Sequence, residues 1–468
     1  MENSNQKKGL NVSVKSFLTA IAVLFVLMIL TYVLTIVIPG GSYARTLDAD
    51  GNTIIDTSIA FQYIDGGIPF WKWLLSPILV LGAEGNGTLL AVIAFLLVVG
   101  GIFNSLEKCG LMKYMMDKIV HAFGHARYKL LAVMILFFMA MGAFIGSFEE
   151  VVPLVPLIVA LAIRLGWDSL TGLGMSILAA GCGFASGVCN PFTVGVAQRV
   201  AGLPMFSGMG FRVVGFVCIY LLLWMFIRHH AKKVEKPLAA NVEDTEFKND
   251  KKMNRALFSF VAIVGTGILV LLCSAFITAL QDYSLIIVAV MFLIAGIVAS
   301  LTAGMSVKRM LVTAKDGMLS ILPAVLLILM ASSIKYILVE ANILDTILYY
   351  AVTYASTLPK WVVILFIYLL VLVMNFFIAT GSAKAILMIP LITPLAQIFG
   401  ISAQLCVLAY AFGDGFSNAF YPTNPVLLIS LELADVSYGK WAKWSGKFQL
   451  LNLVLTSLIL LLGLAIGY

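Results

Sequence analysis

The sequence predicts an all-α, polytopic membrane protein with two inverted repeats, each containing a re-entrant helical hairpin and a discontinuous helix. The first observation is composition, because 61% of the 468 residues are hydrophobic and 11% are charged, against about 25% charged in soluble domains. The second is the number of apolar runs of about 18 residues or more. The third is a matched pair of breaks: Asn190-Pro191 follows Pro156 by 34 residues, and Asn424-Pro425 follows Pro390 by 34.

Breaks at matching positions are typical of secondary transporters. Proline and glycine interrupt helices, and lipid tolerates an interrupted helix only where it is buried in protein or lines a wet cavity. A Gly-Ser pair lies upstream of each proline, Gly146-Ser147 and Gly381-Ser382. Equivalent breaks in two halves indicate a transporter binding site. The alternative is an ordinary helical bundle whose prolines and glycines match by accident.

Composition and motifs also exclude several classes of protein. The six cysteines lie scattered in apolar segments without CxxC spacing, so neither a metal site nor a disulfide is predicted. The net charge of +7 comes from basic residues that flank apolar runs, which indicates membrane orientation and not nucleic-acid binding. The sequence has no GxxxxGK[ST], GxSxG or HExxH motif, so an ATP-driven pump and a membrane hydrolase lack support, and no cofactor is predicted.

The first half covers residues 16–228 and follows a cytoplasmic N-terminus at 1–15, whose lysines mark the inner side. The first apolar run lacks a small-residue cleavage site, so a retained helix is predicted. The predicted elements are a crossing at 16–38, a return at 88–107, a hairpin at 129–163, a discontinuous helix at 172–201 and a crossing at 210–228.

The second half, at 256–468, repeats this plan after a charged segment at 229–255 that is predicted to be a cytoplasmic linker. Lysines at 440, 443 and 447 place the loop before the last crossing inside, so the C-terminus is predicted outside. The predicted elements are helices at 256–280, 284–303 and 321–340, a hairpin at 361–395, a discontinuous helix at 403–434 and a crossing at 448–467.

The charges of two corresponding segments indicate that the repeats are inverted. The segment after 88–107 is basic, with Lys108, Lys113 and Lys118 among its residues. Its counterpart at 342–358 carries Asp345 and no lysine. Basic loops stay on the cytoplasmic side, so the same element is predicted on opposite sides of the membrane in the two halves.

The predicted site combines two hairpin tips and two helix breaks. A broken helix leaves N–H groups at one stub, which suit a carboxylate, and C=O groups at the other, which suit a cation. Side-chain hydroxyls and amides near the breaks, including Ser417, supply further donors and acceptors. The predicted substrate-binding residues are Ser147, Glu149, Asn190, Thr193, Thr380, Gly381, Ser382, Lys384, Thr423 and Asn424. The predicted ion-coupling residues are Glu149, Glu150, Asp414, Ser186 and Asn418.

Two alternatives stay open for the most prominent of these residues. Each asparagine is either a ligand contact or a helix-break cap that never touches the ligand. Lys384 either neutralises a substrate carboxylate or pairs with Glu149 or Glu150 across the site. Ionisable groups at membrane depth are costly unless paired or functional, so both interpretations account for these charges.

The sequence resembles the YfcC-like, C4-dicarboxylate anaerobic carrier-like proteins of the ion transporter superfamily. The resemblance lies in the stretches 146–156, 189–198, 380–394 and 412–425, and it extends over nearly the whole chain. It implies two re-entrant hairpins, a dimeric scaffold and a transport domain that moves as an elevator. It also implies substrates that range from C4-dicarboxylates to amino acids, including arginine/ornithine exchange.

One departure from the family pattern concerns the second tip. It carries Lys384, where many members of the family have an uncharged residue. The extra cation argues for an anionic or zwitterionic substrate and against a purely dibasic one.

We therefore expect a secondary active transporter of small carboxylate-bearing metabolites in the cytoplasmic membrane, not an enzyme. Symport or antiport by alternating access is predicted, with Na⁺ or H⁺ as the coupling ion or with exchange. The expected partners are the substrate, membrane lipid and a second copy in a homodimer. The alternatives are a basic amino acid antiporter of the arginine/ornithine type and, from another class, an ion channel.

Overall fold

The chain folds almost entirely into helices. The computed structural model describes residues 14–47, 53–55, 59–83, 87–123, 126–146, 148–204, 206–236, 250–274, 284–355, 358–378 and 380–468. The predicted site residue Ser147, the N-terminus through residue 13 and the centre of the predicted linker lie outside the described residues. Within those ranges, seven helices are long and apolar enough to cross a membrane, or eight if a bent pair counts as one span.

The described part of the first half contains nine helices, and two of them are the two parts of one discontinuous helix. They are α1 (Val14–Val37), α2 (Phe70–Leu79), α3 (Gly87–Lys108), α4 (Leu111–Phe123), α5 (Arg127–Ala140), α6 (Val155–Arg164), α7 (Ser169–Ser186), α8 (Val196–Val200) and α9 (Met209–Val234). Between α1 and α2, the short strands β1 (Gly41–Ser42), β2 (Arg45–Leu47), β3 (Thr53–Ile55) and β4 (Gln62–Tyr63) form two antiparallel pairs, β1 with β4 and β2 with β3.

The second half contains ten helices in the ranges that the structure covers. They are α10 (Lys251–Ser274), α11 (Ser284–Thr302), α12 (Val307–Ser320), α13 (Leu322–Glu340), α14 (Leu344–Ala355), α15 (Lys360–Phe377), α16 (Gly381–Ile398), α17 (Ala403–Gly415), α18 (Pro425–Leu433) and α19 (Tyr438–Ile466). Among the described residues, those of α3 to α9 and of most helices from α10 to α19 share one continuous apolar core, to which α12 contributes none.

Each half has one helix pair joined by a break and one helix broken in its middle. In the first hairpin, α5 continues through a π turn at Met141–Ile145, stops at Gly146 and resumes through a 3₁₀ turn at Glu149–Leu154. In the second hairpin, α15 and α16 are 18 residues each. Because about 17 residues can already span a bilayer, these arms are long enough to cross, and re-entrance stays a prediction.

The helix α9 extends beyond the predicted start of the linker at 229. It continues to Val234, because its last turns pack against the protein: Ala231 is fully buried, and His230 pairs with the Asp168 carboxylate at 3.1 Å. Two opposed effects act on the pKa of the Asp168 carboxyl group. Burial raises it, but the His230 hydrogen bond and the Thr171 N–H outweigh burial and lower it to about 2.

Small residues let the first hairpin and the two broken helices approach closely. Gly183 of α7 lies against the Met139 carbonyl of α5, and Gly415 of α17 lies against the Ala185 backbone of α7. Such small-residue contacts are the usual way in which membrane helices pack at short distance. The α7–α17 contact brings the two broken helices together directly.

Replacement of Gly183 by alanine is expected to destabilise the fold by roughly 1–3 kcal/mol, because the new methyl group would overlap the Met139 carbonyl. Thermal unfolding of the purified protein measures this. The matched control is Gly210→Ala, since a methyl group at Gly210 of α9 meets open space. An equal effect of the two substitutions would show that the α5–α7 contact does not limit stability.

Candidate functional site

The candidate site comprises the two hairpin tips and the two helix breaks. The first break separates α7 from a π turn at Pro191–Gly195 that leads into α8. The second separates the 3₁₀ turn Phe416–Ala419, at the end of α17, from α18. The Asn190 side chain is fully buried and Asn424 is 5% exposed, so both breaks lie inside the protein.

Asn190 caps the helix stub that follows the first break. Its Oδ1 accepts hydrogen bonds from the N–H of Phe192 at 2.9 Å and of Thr193 at 3.3 Å. The first hairpin packs against the same residues: the Cys189 N–H donates to the Ala143 carbonyl at 3.1 Å, and a Cβ at Gly146 would meet the Asn190 side chain. Gly146 has φ +78°, which only glycine adopts easily, so the tip can approach this closely.

Asn424 repeats this arrangement at the second break. Its Oδ1 accepts from the N–H of Val426 at 2.9 Å and of Leu427 at 3.4 Å. Its Nδ2 donates to Asn418 Oδ1 at 3.1 Å. Both asparagines therefore act as caps of the outgoing stubs. Contact with a ligand stays a prediction for each.

Three buried polar groups at the breaks have no hydrogen-bond partner among the described residues. They are Nδ2 of Asn190, Oγ1 of Thr193 and Oγ1 of Thr423. Buried polar groups nearly always have a partner, so these donors are available to a ligand or an ordered water. The two breaks thus contribute uncommitted donors next to N-terminal helix stubs, which attract anions.

The Lys384 ammonium joins the second hairpin to α17. It lies 2.5 Å from Asp414 Oδ1 on α17, donates to the Ile378 carbonyl at 3.1 Å and also donates to Asn375 Oδ1. Both Lys384 and Asp414 are fully buried. Of the two alternatives for Lys384, pairing with Glu149 or Glu150 does not match this arrangement, because the partner is Asp414. Asp414 faces this tip directly: a Cβ at Gly381 would lie 2.8 Å from Asp414 Oδ2.

Asn375 joins several residues in the second half of the site. It was not predicted from the sequence. Its Nδ2 lies within hydrogen-bond distance of Asp414 O (2.9 Å), Ser417 Oγ (2.6 Å) and Asn418 Oδ1 (2.9 Å). The Tyr410 hydroxyl, also missed, donates to the Gly381 carbonyl. One signal was present in the sequence, since Asn375 is an amide in a helix of 18 residues that is apolar apart from Lys360 at its first position and Tyr368.

At the first tip, the predicted residues Glu149 and Glu150 lie in the 3₁₀ turn Glu149–Leu154. Glu150 Oε2 accepts from the Phe148 N–H at 3.2 Å. Glu149 belongs to none of the ion pairs that the described residues form. The 3₁₀ turn that carries both glutamates packs against α18 and α3. The Ser186 hydroxyl donates to the Cys182 carbonyl of its own helix at 2.7 Å, so it is not directed at the other site residues.

At the second tip, Thr380 and Ser382 are exposed, Gly381 is half-buried and Lys384 is buried. A Cβ at Gly381 would lie 2.7 Å from the Thr193 methyl group, so this tip contacts the stub after the first break. The second hairpin therefore meets both broken helices.

A second buried cation, Arg212 of α9, was also missed. Its guanidinium donates to the carbonyls of Val188 at 3.2 Å, Ser207 at 2.8 Å and Phe206 at 3.2 Å. Val188 lies in the first break, so Arg212 satisfies a carbonyl that the interrupted helix leaves without a partner. Arginine at this place reads as an ordinary membrane-flanking residue in the sequence.

Two cavities lie beside the hairpins. One of about 450 Å³ lies between α16 and the segment Gly41–Arg45, and Lys335 of α13 lines it together with Asp345. The other, of about 490 Å³, lies between α6, α3 and the end of α18, and Glu107, Arg164 and Glu432 line it. Asp345 is paired with Arg45 at 2.9 Å. Lys335 has no ion-pair partner within the described ranges.

Comparisons with known proteins agree with a transporter. The family model of DcuC, C4-dicarboxylate anaerobic carrier, matches residues 17–465. An Escherichia coli protein named "Putative basic amino acid antiporter YfcC" is 32% identical over an alignment of 402 residues, and the alignment covers 82% of this chain and 79% of that protein. A protein of Haemophilus influenzae, named only "Uncharacterized protein", is 24% identical over 496 residues and covers 95% of both chains.

Two solved structures are also similar. The crystal structure of the Alcanivorax borkumensis YdaH transporter has 17% identity and a TM-score of 0.45, with 97% of this chain and 99% of that chain covered. The structure of Neisseria gonorrhoeae MtrF has 14% identity and a TM-score of 0.46, with 94% of each chain covered.

Proposed function

This chain belongs to the C4-dicarboxylate anaerobic carrier family, as its motifs predicted, and from this premise we propose its substrate and mechanism. It is a secondary active transporter of small carboxylate-bearing metabolites, either C4-dicarboxylates or amino acids, in the cytoplasmic membrane. It works by alternating access, as a symporter or an antiporter.

One observation supports this proposal most strongly: the uncommitted donors at the two breaks. Asn190 Nδ2, Thr193 Oγ1 and Thr423 Oγ1 are buried and without a partner among the described residues. A carboxylate accepts several hydrogen bonds at once, and two stub N-termini add favourable partial charge. A substrate carboxylate bound between the breaks satisfies these donors.

The charge of the site permits more substrates than the sequence implied. Lys384 is neutralised by Asp414, so it no longer argues against a cationic substrate. Glu149 has no cationic partner among the described ion pairs and lies at the first tip. The second candidate function is therefore a basic amino acid antiporter, whose substrate presents its carboxylate to the breaks and its amines to Glu149. The name of the Escherichia coli relative supports this candidate.

The proposed movement involves two groups of elements. The hairpins and broken helices move together as a transport domain, since they contact one another through Gly146, Gly381 and Gly415. The remaining spans form the scaffold, and we propose that two copies associate through it. The two halves have opposite orientations in the membrane, with the N-terminus on the cytoplasmic side and the C-terminus on the extracytoplasmic side.

Uptake into liposomes tests the function. Purified protein should accumulate a labelled C4-dicarboxylate or amino acid against its concentration gradient, driven by Na⁺, by H⁺ or by a counter-substrate inside. Labelled arginine against internal ornithine tests the second candidate. Accumulation of neither class under any gradient would refute the proposal, and flux that only equilibrates, with single-channel currents, would establish a channel.

Lys335→Gln is expected to report the charge of the substrate. Lys335 lines the cavity beside the second hairpin, so removal of its positive charge should raise the KM for a dianionic substrate by roughly 5-fold, about 1 kcal/mol. For a dibasic substrate the KM should fall or stay unchanged. A matched control is Lys72→Gln, which removes an exposed lysine outside this cavity. No change in KM for any transported anion would exclude a contribution of the cavity to binding.

A further inference from the structure

The oxygen atoms around Lys384 form a cage of the kind that binds an alkali cation. They comprise a side-chain amide oxygen (Asn375), a main-chain carbonyl (Ile378) and a carboxylate (Asp414). Hard cations take carbonyl, amide and carboxylate oxygens as ligands. The Ile378 carbonyl also comes directly after the C-terminus of α15, where the helix dipole favours positive charge.

The lysine ammonium already occupies this cage. Lys384 Nζ is 2.5 Å from Asp414 Oδ1, and both side chains are fully buried. A metal ion in the same cage would lie a few ångströms from the ammonium in a low-dielectric interior, where two like charges repel strongly. One cation therefore excludes the other.

The two hairpins differ in this respect. The offset of 234 residues that relates Asn190 to Asn424 also relates Glu150 to Lys384. The first tip therefore carries acids where the second tip carries a base. The same offset places Met141 opposite Asn375 and Ala180 opposite Asp414, so the first half lacks the side-chain oxygens of the cage at the matching positions.

We propose that Lys384 is a resident cation that fills an alkali-cation site at the second hairpin, so that this hairpin packs on α17 without Na⁺. The proposal refines the coupling step of the proposed function: Na⁺ does not bind at the second tip, and coupling uses the first half, a proton or exchange. Removal of the ammonium leaves Asn375 Oδ1, the Ile378 carbonyl and Asp414 as ligands and converts the cage into a Na⁺ site.

Thermal unfolding of the full-length protein tests this, with NaCl raised from 1 to about 300 mM and choline chloride holding the ionic strength. Lys384→Ala should gain a Na⁺-specific rise in Tm of about 3–6 °C over its response in choline, since a cation that binds the folded state stabilises it by mass action. Wild-type protein should not show this component. Addition of Asp414→Asn to Lys384→Ala should remove the gain.

The control is Lys72→Gln, which breaks a lysine–carboxylate pair at the surface and should create no Na⁺ response. If Lys384→Ala does not yield folded protein, Lys384→Gln is used, because its amide keeps most of the side-chain volume and adds an oxygen. A folded Lys384 variant without a Na⁺ gain would overturn the proposal. A Na⁺-specific rise in the Tm of the wild-type protein would also overturn the proposal if Asp414→Asn abolished that rise. The readout needs no transport, so its failure and a failure of uptake are separate results.

Discussion

Asn190→Asp is expected to abolish carboxylate uptake, by roughly 100-fold or more, while the protein stays folded. Aspartate keeps the Oδ1 that accepts from the Phe192 and Thr193 N–H groups, so the cap remains. It loses the Nδ2 donor, which has no partner among the described residues, and adds a negative charge where the substrate carboxylate is proposed to bind. A lost hydrogen bond to a charged group is worth about 1.5–3 kcal/mol, and like-charge repulsion adds to this.

Comparison with Asn190→Ala separates the two roles of this residue. Alanine removes the cap and the donor together, so it should lower both uptake and Tm, with a stability cost of about 1–2 kcal/mol. Aspartate keeps the cap but places a charge in a fully buried position, so it should lower Tm through desolvation and should lower uptake more than alanine does. Initial rates in liposomes and thermal unfolding of the same preparations provide the two readouts. Wild-type uptake by Asn190→Asp would establish that the residue is a cap that never contacts substrate.

The breaks could be predicted from sequence because their cause is local. Proline lacks an N–H, Gly146 and Gly187 adopt positive φ, and an asparagine before a proline caps the next stub through its own neighbours. These effects involve residues a few positions apart. The matched positions of Asn190 and Asn424 then made both breaks recognisable from the printed sequence.

The partners of the buried charges could not be predicted in the same way. Lys384 and Asp414 were both identified as functional candidates, yet the only ion-pair partners that the sequence suggested for the lysine, as one of two alternatives, were Glu149 and Glu150. The choice depends on how the second tip packs against α17, where Gly381 lies close to Asp414. Such a contact depends on tertiary packing, and no spacing rule indicates it.

The same reason explains why Asn375 and Arg212 were missed. Asn375 joins α15 to three residues near the second break, which are about 40 positions further along the chain. Arg212 reaches back to the Val188 carbonyl in the first break. Each supports a break from a neighbouring helix. Polar residues inside membrane helices are costly unless they have a role, so Asn375 could have been flagged, but not its partners.

Asp414→Ala is expected to destabilise the protein by about 3–5 kcal/mol, because it leaves the fully buried Lys384 ammonium without its carboxylate. The double substitution Asp414→Ala with Lys384→Met should recover most of this loss, since it removes both charges and keeps an apolar side chain of similar length. Thermal or denaturant unfolding of the wild type, both single variants and the double variant gives the coupling energy of the pair. Additive effects would show that the two charges do not interact.

The same variants also show whether recovery of stability is accompanied by recovery of transport. Lys384 and the Tyr410 hydroxyl both link the second hairpin to α17, so the double variant should retain the Tyr410–Gly381 hydrogen bond while losing the ion pair. If the pair serves only to hold the hairpin, the double variant should recover transport together with stability. If Lys384 is instead a cation on which transport depends, stability should return and uptake should not. Measurement of both quantities on one preparation therefore separates a structural ion pair from a functional one.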